Sequence, residues 1–283
     1  MQGLCKRLPV PGHIPLLIIN FIIMKEVLNK AQIDHFIHKG FIRIDHAFDA
    51  GLAAAARSIL WKDMDCDPEN PATWTKPVIW LGMYSQPPFV AAANAPVLHT
   101  AFDQLAGPGN WWPCGSMGAF PVRFPTTADT GDTGWHVDAS FPGEDPGGEW
   151  RINWRSKGRA LLMLFLFSDV AEQDAPTIIS VGSHIDVARI LRDEGEQGLS
   201  FMELAKKLST LPLREEALAT GKAGTVYLCH PFLVHRAQLN SGKEPRFLAQ
   251  PPLLLKHDLQ PDGDVEGLSP VEKAIRIGID EGI

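Results

Sequence analysis

The sequence has little cysteine, no excess of basic residues and no long uninterrupted apolar run. Its four cysteines, Cys5, Cys66, Cys114 and Cys229, are widely spaced and form no CxxC pair. This spacing argues against a disulfide framework or a zinc knuckle and indicates a reducing compartment. A formal net charge of -7 argues against a nucleic-acid-binding protein, which needs a broad basic surface. No internal repeat is visible, which argues against solenoids and propellers.

The longest apolar stretch, residues 14–24, has some likeness to the hydrophobic part of a secretory signal. It is too short to span a bilayer as a helix, Asn20 interrupts it, and no small-residue cleavage site follows. We therefore expect residues 1–23 to be an N-terminal extension or packed arm, with a signal-like segment as the alternative and Met24 as an alternative start. Residues 24–283 are expected to form one domain of a cytoplasmic protein without a membrane or nucleic-acid partner.

Helical patterns come first along the chain. Apolar residues follow helical spacing from Lys25 to Lys39, Phe41–Ile44 alternates like a strand, and an alanine-rich helix with Asp49 as its N-cap is expected up to Trp61. Residues 63–115 are rich in Pro and Trp and are expected to be mostly irregular.

The second half of the chain is typical of a β-rich core. Candidate strands lie at residues 116–124, 134–141, 159–167, 177–181, 225–229, 232–237 and 246–255. A helical stretch at 185–210 interrupts them, and a last helix is expected after Ser269. The order predicts an α+β fold with a mainly β core, an antiparallel barrel or jelly roll with flanking helices.

A His-x-Asp pair is the first candidate site. His136 and Asp138 alternate in a predicted strand, so both side chains can point into one cavity. An imidazole and a carboxylate are two of the three ligands of a facial iron site, whose remaining positions stay open for oxygen chemistry. Alone, this tripeptide is a weak signal, because it occurs by chance in many chains.

The segment 224–240 offers two histidines for the third ligand position. His230 precedes Pro231 and is expected at a turn, whereas His235 lies inside a predicted strand. We favour His235, because a strand holds its side chain in place, and keep His230 as the alternative. Arg246 follows eleven residues later, where an inward-facing guanidinium would suit the distal carboxylate of 2-oxoglutarate.

Together these segments resemble the phytanoyl-CoA dioxygenase family of Fe(II)- and 2-oxoglutarate-dependent oxygenases. The likeness lies in residues 135–138, 175–184 and 224–246. It implies a cupin-like double-stranded β-helix that uses Fe(II), 2-oxoglutarate and O2, hydroxylates a small molecule and releases succinate and CO2. The residues that the resemblance assigns to metal and cosubstrate are His136, Asp138 and His235, then Arg246 and Thr177.

Three residues depart from the family pattern. Ala175 stands where relatives carry glycine or asparagine, Val181 replaces a proline, and Ala237 lies where serine is frequent. These departures leave the metal ligands intact and put the secondary contacts to 2-oxoglutarate in question.

Substrate contacts are expected from two further places. Arg123 ends the strand before the His-x-Asp pair, and the turn-rich segment 142–158 follows that pair directly. We interpret the segment as a lid that holds an acidic, partly apolar substrate through Trp150, Arg151, Trp154 and Arg155. An ordinary solvated loop is the alternative.

Two other functions remain open from the sequence. The His/Asp/His set also suits a zinc- or manganese-dependent cupin that acts as a hydrolase or isomerase. A non-catalytic, ligand-binding member of the same fold is the third hypothesis. Formation of succinate in the presence of iron separates the three.

Overall fold

A computed structural model describes residues 26–144, 147–212 and 214–280. The predicted N-terminal extension, residues 1–23, lies outside these ranges, and so does Met24. No helix in the described part of the chain is long and apolar enough to cross a membrane.

The helices lie before, between and after the strands. Their bounds are α1 Lys30–Lys39, α2 Ala50–Asp63, α3 Pro87–Ala93, α4 Pro96–Ala106, α5 Ser183–Arg192, α6 Phe201–Leu208 and α7 Pro270–Asp280, with 3-10 turns at Pro71–Thr73 and Val265–Gly267.

The strands are short, apart from one. Their bounds are β1 Phe41–Ile44, β2 Val78–Leu81, β3 Phe120–Arg123, β4 Phe141–Pro142, β5 Trp150–Ile152, β6 Arg159–Leu166, β7 Ile178–Ser180, β8 Leu199–Ser200, β9 Glu216–Leu218, β10 Val226–Cys229, β11 His235–Arg236, β12 Leu248–Ala249 and β13 Pro252–Leu254.

Strand β6 is the centre of the fold. It lies in the sheet β1-β10-β6-β12, pairs also with β13, and is buried along its whole length. Alternate residues face opposite sides: Leu161 and Met163 join the core that contains the helices, while Leu162 and Leu164 join a second core that reaches strand β7. All strand pairs are antiparallel, so the predicted α+β fold with antiparallel sheets is confirmed.

The first two helices lie close to their predicted positions. Asn29 caps α1 through a capping box, which makes the helix begin at Lys30 rather than at the predicted Lys25. Gly40 ends it with a φ of 86°, a left-handed conformation that favours glycine. The side chain of Asp49 accepts a hydrogen bond from the N–H of Gly51 and caps α2, as predicted.

Three predictions of secondary structure are wrong in part. Residues 63–115 are not mostly irregular, because β2, α3 and α4 lie there and proline occupies the first turn of both helices. The segment 134–141 forms one bridge at His136 and reaches strand β4 only at Phe141, instead of forming one long strand. The stretch 185–210 contains two helices, separated at Gly198, where a Cβ atom would meet the carbonyl of Ile152 at 2.0 Å.

Two histidines are part of the buried core. The rings of His184 and His230 lie 4.8 Å apart, and both residues are fully buried. Burial lowers the pKa of His184 to about 4 and takes the pKa of His230 well below its ordinary value. The native protein therefore keeps both rings neutral at a pH where the unfolded chain binds protons.

We expect the free energy of unfolding to fall as the pH drops from about 6.5 towards 4, by about 1.4 kcal/mol per pH unit for each such histidine. Above that window neither state binds these protons, so this destabilising effect of the buried histidines is absent there. Urea unfolding at pH 7, 6 and 5 measures it. The variant His184→Gln should show a shallower dependence, and exposed His257→Gln is the control. An equal slope in wild type and His184→Gln would contradict the explanation.

Candidate metal centre and cavity

The first two candidate ligands lie in the extended segment before β4. The main chain of His136 exchanges two hydrogen bonds of 3.0 Å with that of His235 in β11. This antiparallel bridge places the two imidazoles side by side, with ring centroids 4.4 Å apart. Asp138 follows two residues after His136 and reaches the same point, as alternate residues of an extended chain do.

The ligand atoms of these three side chains converge. Nε2 of His136 lies 3.7 Å, and Nε2 of His235 3.9 Å, from Oδ1 of Asp138. One ligand atom from each residue lies within 4.8 Å of the other two. Two imidazole nitrogens and one carboxylate oxygen at this spacing could hold a divalent metal ion.

The main chain selects the tautomer of both histidines. Nδ1 of His136 donates to the carbonyl of Gly134 at 2.9 Å, and Nδ1 of His235 donates to that of Leu233 at 3.0 Å. Because a carbonyl oxygen only accepts, Nδ1 carries the proton and Nε2 keeps its lone pair. Nε2 of His235 is buried and has no hydrogen-bond partner among the described residues, and a metal ion would satisfy it.

Burial and charge favour the metal-binding protonation state. Burial, followed by the neighbouring His136, lowers the pKa of His235 to about 4. Burial opposes ionisation of Asp138, but the attraction of His235, when its ring is protonated, and then of the Arg159 guanidinium holds the pKa of this carboxyl below its ordinary value. At neutral pH the set therefore includes a neutral His235 and an ionised carboxylate, which fit a divalent cation.

Arg159, the first residue of β6, is a part of this site that the sequence did not reveal. Its Nη1 lies 3.4 Å from Oδ2 of Asp138 and 3.3 Å from the carbonyl oxygen of the same residue, and Nη2 donates to the carbonyl of Ala139 at 3.0 Å. The guanidinium thus engages Oδ2 and leaves Oδ1 towards the histidines. The one available signal was a cation at the head of an otherwise apolar strand.

His230, the alternative third ligand, lies elsewhere. Its Nε2 donates to the carbonyl of Val271 at 3.2 Å, and its Nδ1 accepts from the N–H of Phe232 at 3.1 Å. Its ring packs among Phe36, His184 and Phe232. Both ring nitrogens are occupied, so the structure brings His235, and not His230, to the other two candidate ligands.

A cavity of about 450 Å³ opens beside the candidate ligands, a size typical of small-molecule sites. His136, His235, Thr177, Arg123 and Arg246 contribute to its walls. Most of its other side chains are apolar: Trp80, Pro121, Trp135, Phe201, Met202 and Ala205.

Two buried arginines lie beside each other in this cavity. Their main chains form another bridge, with N–H to carbonyl distances of 3.2 and 2.9 Å between Arg123 and Arg246. Arg123 forms an ion pair with Asp132, while its Nε and Nη1 have no partner in the described chain. Arg246 donates to the carbonyls of Ala175 at 2.6 Å and Pro121 at 3.1 Å, and its Nε is also without a partner there.

This arginine pair carries more positive charge than the cavity neutralises. Asp132 is the only acidic residue among those that line the described cavity. Burial, followed by the charge of Arg123, lowers the pKa of Arg246 to about 9, so the guanidinium stays charged at neutral pH although its burial is costly. A carboxylate that accepts two hydrogen bonds would reduce this cost.

Ala175 contacts this pair through its main chain. It has a φ of 53°, a left-handed conformation in which glycine and asparagine are favoured. Alanine at this position therefore carries backbone strain, while its carbonyl accepts a hydrogen bond from Arg246. Thr177, two residues later, is buried in the wall of the cavity.

The segment 142–158 differs from the predicted lid. Instead of a loop without secondary structure, it contains β5, which pairs with β4 and β8. Arg151 donates to the carbonyls of Gln197 and Gly198. Arg155 pairs with Glu196 and Asp262 and stacks on the adjacent Trp154 ring at 4.1 Å.

None of Trp150, Arg151, Trp154 and Arg155 is among the residues that line the described cavity. The structure therefore does not bring these predicted substrate contacts to the candidate metal site. Phe201, Met202 and Ala205 of α6 lie there instead. These three residues could not be predicted from the sequence. The pairing of β5 with β8 brings α6 to the cavity, and no local sequence pattern indicates that pairing.

No protein-family model and no curated protein matches this chain. Solved structures do match its fold. SnoK, a non-heme alpha-ketoglutarate-dependent carbocyclase from nogalamycin biosynthesis, gives a TM-score of 0.55 at 17% identity, over 85% of this chain and 89% of SnoK. The epimerase SnoN in complex with Fe3+, alpha-ketoglutarate and nogalamycin RO gives 0.52 at 16% identity, over 80% and 82%.

A third match is GIG2 of Candida albicans, with a TM-score of 0.53 at 12% identity, over 81% of this chain and 65% of GIG2. At these identities the three matches show a common fold. The cofactors and substrates named for these proteins are properties of those proteins, and the fold alone does not assign them to this chain.

We expect Arg159→Met to weaken metal binding by about tenfold, because Asp138 loses the partner that orients its carboxylate. Arg159→Lys should restore part of the affinity. Isothermal titration with Ni(II) measures the change, and Arg43→Met, which alters an exposed ion pair, is the control. If Arg159→Met leaves the Ni(II) affinity unchanged and lowers the midpoint of thermal unfolding, Arg159 stabilises the fold and does not orient the metal ligand. Tighter binding would mean that its charge repels the metal more than its contact helps.

Proposed function

We propose that this chain is a non-haem Fe(II)- and 2-oxoglutarate-dependent dioxygenase that hydroxylates a small organic molecule and releases succinate and CO2. The proposal rests on one observation: His136 and His235, whose ring nitrogens converge with the carboxylate of Asp138, line a cavity together with a buried arginine pair whose charge Asp132 neutralises only in part. The proposal is supported by the fold shared with SnoK, an alpha-ketoglutarate-dependent carbocyclase, and with SnoN, an epimerase solved with Fe3+ and alpha-ketoglutarate. The sequence resemblance to the phytanoyl-CoA dioxygenase family supports it too.

In this proposal the chain forms a double-stranded β-helix whose residues have separate roles. The two histidines and Asp138 would hold Fe(II) on one side and leave the opposite side open. Arg246 would bind the distal carboxylate of 2-oxoglutarate, with Thr177 as a second contact. When bound, Fe(II) would supply the chemistry that couples oxidative decarboxylation of 2-oxoglutarate by O2 to hydroxylation of the substrate, with one oxygen atom ending in succinate and the other in the product. The apolar walls limit access of water.

The arginine pair favours this proposal over its alternatives. A cupin-type hydrolase or isomerase could use the same three ligands, but its chemistry has no need for a buried anion site beside them. A non-catalytic binding protein would need neither the unpaired Nε2 of His235 nor the aligned tautomers. SnoK is a carbocyclase and SnoN an epimerase, so the primary product differs between proteins of this fold. Formation of succinate is therefore a better first measurement than formation of any one product.

Replacing His136, Asp138 or His235 with alanine should abolish succinate formation, because each change removes one of three protein ligands. Succinate is measured by NMR after incubation with Fe(II), ascorbate, 2-oxoglutarate and O2, without added substrate. The circular dichroism of each variant should match that of the wild type, and exposed His257→Ala is the control. Full succinate formation by His235→Ala would contradict the assignment of His235 as a metal ligand, and His230 would again be a candidate.

We expect Arg246→Leu to raise the 2-oxoglutarate requirement at least about tenfold while iron affinity changes little. A carboxylate bound by two charged hydrogen bonds loses roughly 1.5–3 kcal/mol for each bond that is removed. Titration of 2-oxoglutarate into the Ni(II)-loaded protein gives the affinity, and thermal unfolding checks the fold. Unchanged affinity in this variant, together with a loss in Arg123→Leu, would make Arg123 the anchor.

A further inference from the structure

The mouth of the cavity is formed by exposed apolar side chains. Trp80 is 60% exposed, Phe201 39% and Met202 65%. The described residues expose eight large hydrophobic side chains in all, and these three lie on this one cavity. Clustered exposure of this kind is unfavourable in water and marks a surface that binds apolar groups.

Helix α6 presents one side of this mouth. Ser200 and Glu203 form a capping box that fixes the first turn, and Phe201, Met202 and Ala205 face the cavity. Leu204 and Leu208, on the adjoining face of α6, anchor the helix in the core. Ala205 is small and leaves room beside the Phe201 and Met202 side chains.

The apolar mouth adjoins the candidate metal centre directly. The ring of Phe201 lies 5.5 Å from that of His136. On the other side, Trp80 of β2 pairs with Pro121 of β3, two residues before Arg123. A molecule that packs between Phe201 and Trp80 would therefore have an edge near the metal ligands.

The charged groups of the cavity are already assigned. Asp132 pairs with Arg123, Arg246 is the proposed anchor of the cosubstrate, and the histidines and Asp138 are the proposed metal ligands. Arg151 and Arg155, which suggested an acidic substrate, bind other protein groups away from the cavity. An anionic substrate would find no free counter-charge among the described lining residues, and burying it would be costly.

We infer that the primary substrate is an uncharged, largely apolar ring compound that packs between Trp80 and the Phe201 and Met202 side chains. This inference rests on the proposed function, because it takes the arginine pair as the cosubstrate site. It replaces the acidic substrate that the sequence had suggested. Phe201, Met202 and Trp80 become the residues that determine specificity.

Two probes of equal size and different charge test this inference: naphthalene-2-carboxamide and 2-naphthoate. Each is titrated into the Ni(II)-loaded protein saturated with 2-oxoglutarate, so that the arginines are occupied and no turnover occurs. The neutral amide should bind at least about tenfold more tightly than the anion. Phe201→Ala and Met202→Glu should each weaken the amide by about tenfold. Trp112→Ala, which removes an equally exposed indole outside the cavity, is the matched control.

The same titrations separate the two proposals. Equal or tighter binding of 2-naphthoate, no binding of the amide, or amide binding insensitive to the α6 variants overturns the substrate inference, while 2-oxoglutarate binding that depends on Arg246 leaves the proposed function standing. If 2-oxoglutarate does not bind the Ni(II)-loaded protein, the proposed function fails and the substrate inference falls with it.

Discussion

The candidate site depends on the pair of main-chain hydrogen bonds between His136 and His235. These bonds join an extended segment to β11, two parts of the chain that are distant in sequence. The imidazoles become neighbours because their backbones pair, and each ring is then oriented by its own Nδ1–H bond to a carbonyl two residues earlier. Main-chain contacts therefore orient both imidazoles, which lowers the entropy cost of ordering them when a metal ion binds.

A second bridge of the same kind joins Arg123 and Arg246. Here the backbone forces together two cations that would otherwise separate. One bridge presents lone pairs without a proton donor, and the other presents guanidinium groups without enough acceptors. The histidine and aspartate ligands could therefore take a cation, and the arginine pair could take an anion. A metal ion together with a dicarboxylate would satisfy both. Backbone pairing in the two bridges places these side chains beside one another.

The sequence predicted those features that depend on local chemistry. The cap at Asp49, and the alternation of His136 and Asp138, need only residue types at fixed spacing. Arg159 and Phe201 could not be found in this way, since each acts through partners brought near by β6 or by the β5–β8 pairing. The arginines of the segment around Arg151 also contact groups distant in sequence, and these partners could not be predicted from residue types. Cations and indoles in a turn-rich segment look alike whether they bind a substrate or another part of the protein.

Strand β6 has a consequence for how the protein is made. Apart from Arg159 it is a continuous apolar run, and its partners β10, β12 and β13 all follow it in the chain. During synthesis this strand emerges with both of its edges unpaired until much of the C-terminal half has left the ribosome. Such a segment is prone to self-association while it waits. Truncation before β10, or slow translation between β6 and β10, would expose this hazard, and recombinant expression would benefit from low temperature or added chaperones.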